Sequence, residues 1–396
     1  MAEAMTMPQR GRGLFRLAAF AGALLLAACQ TVVPRGPAPA PEPPKAPPVS
    51  ETEVQQGLPR DTARNRVALL VPLTGANAGV GKSLANATQL ALLDSRNDKV
   101  RITSYDTATG AGAAARRAVS EGAQLILGPL LAEDVRAIAP IARAAKVPVL
   151  SFSNDTSVAG EGVYLMGYAP GQSIERVVSY ARGRGVTNFG GLIPNSLYGS
   201  RASTSFLRAV ENNGGKVVSL QTYDRTGGAM AAAVGRMAKD APFDGVLIAD
   251  SGAAAATGAP LVRKSSPSVR ILGTELWNSD SNVASRGGLE GAWFASVSNG
   301  LYRQYAAKYR QRFGTAPYRL SSLGYDAVLL TVRISRDWKI GTPFPEGRLR
   351  SGEGYAGIDG AFRFGRDGVA ERALEVQEIH GEGTTVVSPA PTGFDK

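Results

Sequence analysis

From Arg60 onward the chain alternates short unbroken apolar runs with segments of helical period, and this alternation restricts the fold more than any other feature. Val67-Ala68-Leu69-Leu70-Val71 is apolar throughout, as a strand covered on both faces requires, and Val80, Leu84, Ala87 and Ala91 follow at helical spacing. The unit recurs in Val100 to Tyr105 with an alanine-rich helix from Gly112, in Gln124 to Leu127 with Val135, Ile138 and Ala142, and in Val147 to Phe152. A second series starts near Val163. It runs through Phe189 to Ile193, the helix around Phe206 and Val210, Lys216 to Leu220, the helix of Met230, Val234 and Met237, Gly245 to Ala249, and Val269 to Leu272. Strands that alternate with helices form parallel sheets with right-handed crossovers, so two series predict two doubly wound α/β lobes.

Two helices follow in succession, one carrying Tyr302, Tyr305, Tyr309 and Phe313, the other Leu323, Ala327, Leu330 and Ile334; both stripes read as core faces. From Gly357 to Val387 short β-like runs such as Ala361-Phe362-Arg363-Phe364 and Leu374-Glu375-Val376 alternate with glycines, and they read as late strands added to one lobe. The chain has one cysteine, Cys29, and one histidine, His380, which excludes an internal disulfide and a His or Cys metal cluster and weighs against a Ser-His or Cys-His nucleophile, for which His380 would be the sole base. No paired Asp or Glu motif points to catalysis, and no metal or cofactor is expected. The net charge of +11 suits anionic surroundings such as phospholipid headgroups or wall polymer. Neither a basic helix nor an aromatic RNA-binding motif accompanies it, so nucleic acid is not an expected partner.

Pro34 to Pro59 holds 9 of the 24 prolines and no helical period, and it reads as an extended linker. Ahead of it, Arg10, Arg12 and Arg16 precede the apolar stretch Leu17 to Leu26, and Leu26-Ala27-Ala28-Cys29 resembles a bacterial lipobox. The apolar stretch is shorter than the roughly 20 residues needed to span a bilayer. The resemblance implies a signal peptide over 1–28, cleavage before Cys29, acylation of that residue and anchorage outside the cytoplasm. Each buried methylene contributes about 0.8 kcal/mol, so several acyl chains give stable attachment. Gln30 rather than Asp follows the cysteine, which favours sorting to the outer membrane.

Pro72-Leu73-Thr74-Gly75, Tyr105-Asp106-Thr107, Leu127-Gly128-Pro129-Leu130, Val147 to Asn154, Leu197-Tyr198-Gly199, Gly324-Tyr325-Asp326-Ala327 and Ile358-Asp359-Gly360 together resemble the type I periplasmic-binding-protein (leucine-binding-like) superfamily. The resemblance runs in order from Arg64 to His380. In motif form it is nearest to lipoproteins that activate penicillin-binding proteins, with the leucine-binding proteins of ABC importers as neighbours. It implies two Rossmann-like lobes joined by crossover strands with a cleft between them. The expected boundaries are a lipid-anchored linker over 29–61, lobe 1 over 62–167 and 298–336, and lobe 2 over 168–297 and 337–396. The implied function is a non-catalytic envelope lipoprotein that activates a peptidoglycan synthase; the alternative is a substrate-binding lipoprotein of an ABC importer for an amino acid or amide.

Ligands of open α/β sheets sit beyond the carboxyl ends of the strands, which makes Thr74, Ser151, Ser153, Asn154, Tyr198, Asp250 and Glu275 the cleft candidates. In leucine-binding relatives a glutamate in a Gly-x-Glu context takes the ligand ammonium, and Gly273-Thr274-Glu275 resembles it. The carboxylate side departs from that pattern. Leu131-Ala132 stands where amino-acid binders present serine hydroxyls, and Asp155 lies near the place of a threonine, where it would repel an α-carboxylate. Gly75 to Ser83 mimics a phosphate-binding loop, but the required first glycine falls on Ala76, so a turn into a helix is the better reading.

Overall fold

The computed structural model describes residues 63–394 apart from positions 241 and 382. The expected signal peptide (1–28), Cys29 and the linker (29–61) lie outside the described residues.

Lobe 1 is built on a five-stranded parallel sheet with strand order β2-β1-β3-β4-β5. Its strands are β1 (Asn65–Val71), β2 (Val100–Asp106), β3 (Leu125–Leu127), β4 (Val149–Ser151) and β5 (Val163–Leu165). The helices between them are α1 (Ala78–Ser95), α2 (Ala111–Ser120) and α3 (Ala132–Ala144). The unbroken apolar run of β1 follows from its place at the centre. Val67, Leu69 and Val71 point into one core while Ala68 and Leu70 point into the core on the opposite face. At the start of α1, Gly81 lies so close to the Pro72 carbonyl that a Cβ would fall 1.8 Å from the oxygen. The glycine therefore serves close packing of helix on strand.

Lobe 2 has a seven-stranded sheet of order β15-β14-β10-β9-β8-β6-β7. Its first part comprises α4 (Pro170–Gly183), β6 (Asn188–Pro194), α5 (Leu197–Asn212), β7 (Lys216–Tyr223), α6 (Ala229–Met237), β8 (Gly245–Ile248), α7 (Gly252–Ser265), β9 (Arg270–Gly273) and β10 (Trp293–Ser296). Val246 and Ile248 enter one core and Leu247 the other, so β8 repeats the logic of β1.

The chain then returns to lobe 1 through α8 (Gly300–Phe313) and α9 (Ser321–Ser335). Helix α9 lies against α1, where Gly324 approaches the Leu84 carbonyl, and it is almost wholly buried. Beyond it the structure corrects the expected boundary at 337. Trp338, Phe344, Leu349, Tyr355, Phe362 and Phe364 all join the core of Leu84 and Leu323 in lobe 1. The segment contains a three-stranded antiparallel sheet of β11 (Tyr355–Gly357), β12 (Gly360–Phe364) and β13 (Ala370–Arg372). It is tied to β5 by the Leu165↔Val369 bridge. Its aromatic residues Tyr355, Phe362 and Phe364 are buried against the apolar surface of lobe 1. The chain re-enters lobe 2 at β14 (Glu375–His380), which pairs antiparallel with β10, and closes with β15 (Gly383–Ser388). Three crossovers, near 166–169, 297–299 and 373–374, therefore join the lobes.

Candidate functional site

The lobe 2 wall of the cleft is organised by Glu275, which follows β9. Its carboxylate accepts hydrogen bonds from the Tyr198 hydroxyl at 3.0 Å and from the Ser173 hydroxyl. Tyr198 stands at the start of α5, and with its one proton directed at Glu275 its oxygen accepts from the Thr274 hydroxyl at 2.9 Å. Ser173 comes from the first turn of α4, beside the crossover. Burial raises the Glu275 carboxyl above its usual range, although the two hydroxyls oppose the shift. Burial also drives Tyr198 well above the usual tyrosine range, with the Glu275 charge adding to it. No lysine or arginine among the described residues pairs with Glu275, so this carboxylate is held by neutral donors alone.

Toward the crossovers Glu275 shares a cavity with Tyr168, Gln172, Arg319 and Arg372. Its volume is about 20 Å³, room for about one water. Asp359 accepts from Arg319 Nη1 at 2.8 Å, from Ser322 Oγ at 2.8 Å and from the Tyr168 hydroxyl. Arg319 is further stacked on the Tyr302 ring at 4.0 Å. Arg372 donates to the Met166 carbonyl within lobe 1, and Gln172 of lobe 2 meets β13 through the Arg372 amide and the Ala370 carbonyl. The ion pair holds Asp359 below its ordinary value against the effect of burial. Its neighbour Asp326 is pushed up to about 7 by burial and by the Asp359 charge.

The lobe 1 wall is built differently. Ser151 Oγ donates to the Pro129 carbonyl at 2.8 Å and accepts from the Ser153 amide at 3.0 Å. Ser153 Oγ in turn accepts from the Asp155 amide at 3.1 Å. Both serines thus shape the loop after β4, on which Asn154 is exposed. Thr74 is exposed and donates to Asp106 Oδ2 at 2.6 Å, within the turn where Asp106 also receives the Leu73 amide. Asp250 follows the neighbouring strand β8, near enough for its charge to act on Tyr198 but without a hydrogen bond to it. It accepts from Tyr223 at 2.7 Å and from Arg225 at 2.6 Å, and it lines a separate open cavity without Glu275 or Tyr198. Of the seven cleft candidates, Tyr198 and Glu275 are brought together by direct contact, Ser151 and Ser153 shape the opposing loop, Asn154 is exposed on that loop, and Thr74 and Asp250 are engaged with other partners.

Asp155 is the exception on the lobe 1 wall. With a side chain only 3% exposed, it pairs through Oδ2 with Arg136 of α3 at 2.9 Å and with Arg201 of α5 at 2.6 Å. The second pair spans the lobes. Burial raises its carboxyl, but the Ser157 and Arg201 contacts outweigh this and hold it below the ordinary 3.8. No sequence motif marks Ser173, Arg319 or Arg372; Asp326 and Asp359 sit in motifs of the family, yet nothing in the sequence marks the arginines that face them.

Two α/β lobes on parallel and mixed sheets, three crossovers and a polar cleft between strand ends define the type I periplasmic-binding-protein fold. The chain matches the periplasmic binding protein family model over residues 65–384 and belongs to that family. Among curated proteins, an uncharacterized protein of Rickettsia prowazekii (strain Madrid E) is 28% identical over 139 residues, a stretch covering 35% of this chain and 37% of that protein. Similar solved structures include the leucine-binding protein LivK of Thermotoga maritima MSB8, with 20% identity, TM-score 0.61 and coverage of 82% of this chain and 98% of that one. LivJ of Streptococcus pneumoniae str. Canada MDR_19A in complex with isoleucine has 16% identity, TM-score 0.61 and coverage of 82% and 100%. The C-domain of LpoA from Haemophilus influenzae, a regulator of PBP1A, has 18% identity, TM-score 0.64 and coverage of 82% and 100%. These likenesses establish the fold. Among the described residues there is no group of three or more potential metal ligands and no helix long and apolar enough to cross a membrane.

Proposed function

We propose that this chain is a solute-binding lipoprotein of the cell envelope that serves an ABC importer and holds a small amino-acid-like or amide solute through a positively charged or donor nitrogen at Glu275. The observation that carries this reading is a buried carboxylate on the cleft wall whose partners are two hydroxyls and no cation. Removing a carboxylate from water is expensive unless charge meets it, and an ammonium group entering the cleft supplies that charge. The solute-binding relatives among the similar folds support the same reading. Acylated Cys29 would tether the protein in the periplasm at the outer membrane, with 29–61 as its leash.

The test is a thermal-shift panel on the full-length chain with primary amines, amino acids, amides and simple carboxylic acids. A ligand that binds only the folded state raises Tm with its concentration. Ammonium solutes should do so and simple carboxylic acids should not. A flat response across the panel would overturn this reading.

A second reading is favoured by one observation: the cavity that Glu275 shares with Arg319 and Arg372 has room for about one water. So little room beside the buried carboxylate suits a regulator that acts through its outer surface, and the likeness to the Haemophilus regulator supports it. The partner would then be a peptidoglycan synthase, that is, a penicillin-binding protein. Its co-purification from detergent-solubilised envelope, with a change in synthase rate on adding the protein, is the expected result; binding without rate change, or no binding, would remove this reading.

A further inference from the structure

Asp155 divides the work of its two oxygens. Oδ1 accepts from the Ser157 amide at 3.0 Å and the Ser157 hydroxyl at 2.6 Å, which fixes the loop after β4. Oδ2 takes both guanidinium groups, Arg136 from its own lobe and Arg201 from the other. Arg201 lies one turn along α5 from Tyr198, on the same helix face, so one helix end reaches Glu275 within lobe 2 and Asp155 across the cleft. Arg201 is itself only 27% exposed, so the bridging pair is largely withdrawn from solvent screening. Two arginines converging on one carboxylate oxygen is the arrangement with which proteins recognise an acidic ligand. Here the acid is part of the chain.

We propose that Arg136 and Arg201 form an anion site spanning the two lobes, and that Asp155 is its internal occupant, latching the lobes closed with a carboxylate the chain carries itself. The site would take a carboxylate or a similarly small oxyanion once Asp155 is removed. This goes beyond solute binding at Glu275 and does not depend on it.

Chemical rescue tests the claim. The full-length chain with Cys29→Ala receives spin labels at Leu93→Cys on α1 and Leu207→Cys on α5, positions 51% and 45% exposed on opposite lobes. The distance between labels is then read by pulsed dipolar spectroscopy. Asp155→Ala should lengthen and broaden the distribution, because the bridge is lost and space for a one-carbon carboxylate is left in its place. Sodium formate should restore the wild-type distance, whereas sodium chloride at equal ionic strength should not. Arg201→Gln leaves the Ser157 contacts of Asp155 intact and should also open the lobes, this time without rescue by formate. A wild-type distance in Arg201→Gln would overturn the latch even if Asp155→Ala fails to fold. An opened Asp155→Ala that formate leaves open would overturn the anion site.

Discussion

Asp155 on the lobe 1 wall and Glu275 on the lobe 2 wall are both carboxylates removed from water, yet their surroundings act on them in opposite directions. Asp155 is paired with two guanidinium groups, and the Ser157 donors and the Arg201 charge outweigh burial and depress its pKa. Glu275 has neutral donors only, and burial raises its pKa. The difference teaches that burial alone does not mark a ligand-binding acid. A buried carboxylate whose charge is met within the chain holds structure together, and one whose charge is unmet is available to a ligand.

The largest break in this contrast should come from Asp155→Ala. It removes the interlobe pair and the loop contacts to Ser157 together. Breaking a well-buried pair costs about 3–5 kcal/mol, but the arginines left behind can reach water, so a loss of about 2 kcal/mol is expected in urea denaturation. Tyr198→Phe should follow. It takes one of two hydroxyl donors from the Glu275 carboxylate and should destabilise by about 1–2 kcal/mol, without the lobe opening expected for Asp155→Ala.

Acidification should separate the two walls by sign. Because the folded pKa of Glu275 lies above 4.5, the folded state takes up the proton first; this contribution to stability is absent at high pH and grows as pH falls toward 4.5. Because the folded pKa of Asp155 lies below 3.8, its contribution is present above 3.8 and is lost as pH falls through the folded value. Stability measured against pH should therefore show the difference between wild type and Glu275→Gln changing above 4.5, and that between wild type and Asp155→Asn changing below 3.8. Equal slopes for the two variants would erase the contrast. The smallest effect is expected for Glu275→Gln at neutral pH, within about 0.5 kcal/mol of wild type, since the amide keeps an acceptor for the hydroxyls and avoids burying a charge.

The two-lobed architecture was legible because runs such as Val67 to Val71 must have apolar side chains on both faces of a covered sheet, whichever residues lie around them. Assignment of 337–372 to a lobe was not, because a run like Phe362-Arg363-Phe364 specifies a strand with one apolar face but not the surface that covers it. The short strand Trp293–Ser296 likewise carries too little pattern to stand out between turns. At the site, Glu275 could be singled out because a local motif surrounds it, and Asp155 because it departs from one. Their partners could not. Arg201 and Ser173 lie on helices whose solvent and cleft faces look alike in sequence, and Arg319 and Arg372 are cations whose burial depends on acids brought near by folding.

The central claim is that Glu275 receives the nitrogen of a solute, and isothermal titration calorimetry with the strongest ammonium-bearing binder from the thermal-shift panel tests it most directly. Wild type and Glu275→Gln are compared at neutral pH, with circular dichroism confirming that both are folded. A charge-assisted hydrogen bond contributes about 1.5–3 kcal/mol, so Glu275→Gln should bind roughly 10- to 150-fold more weakly. Equal affinity of the two proteins would contradict the account.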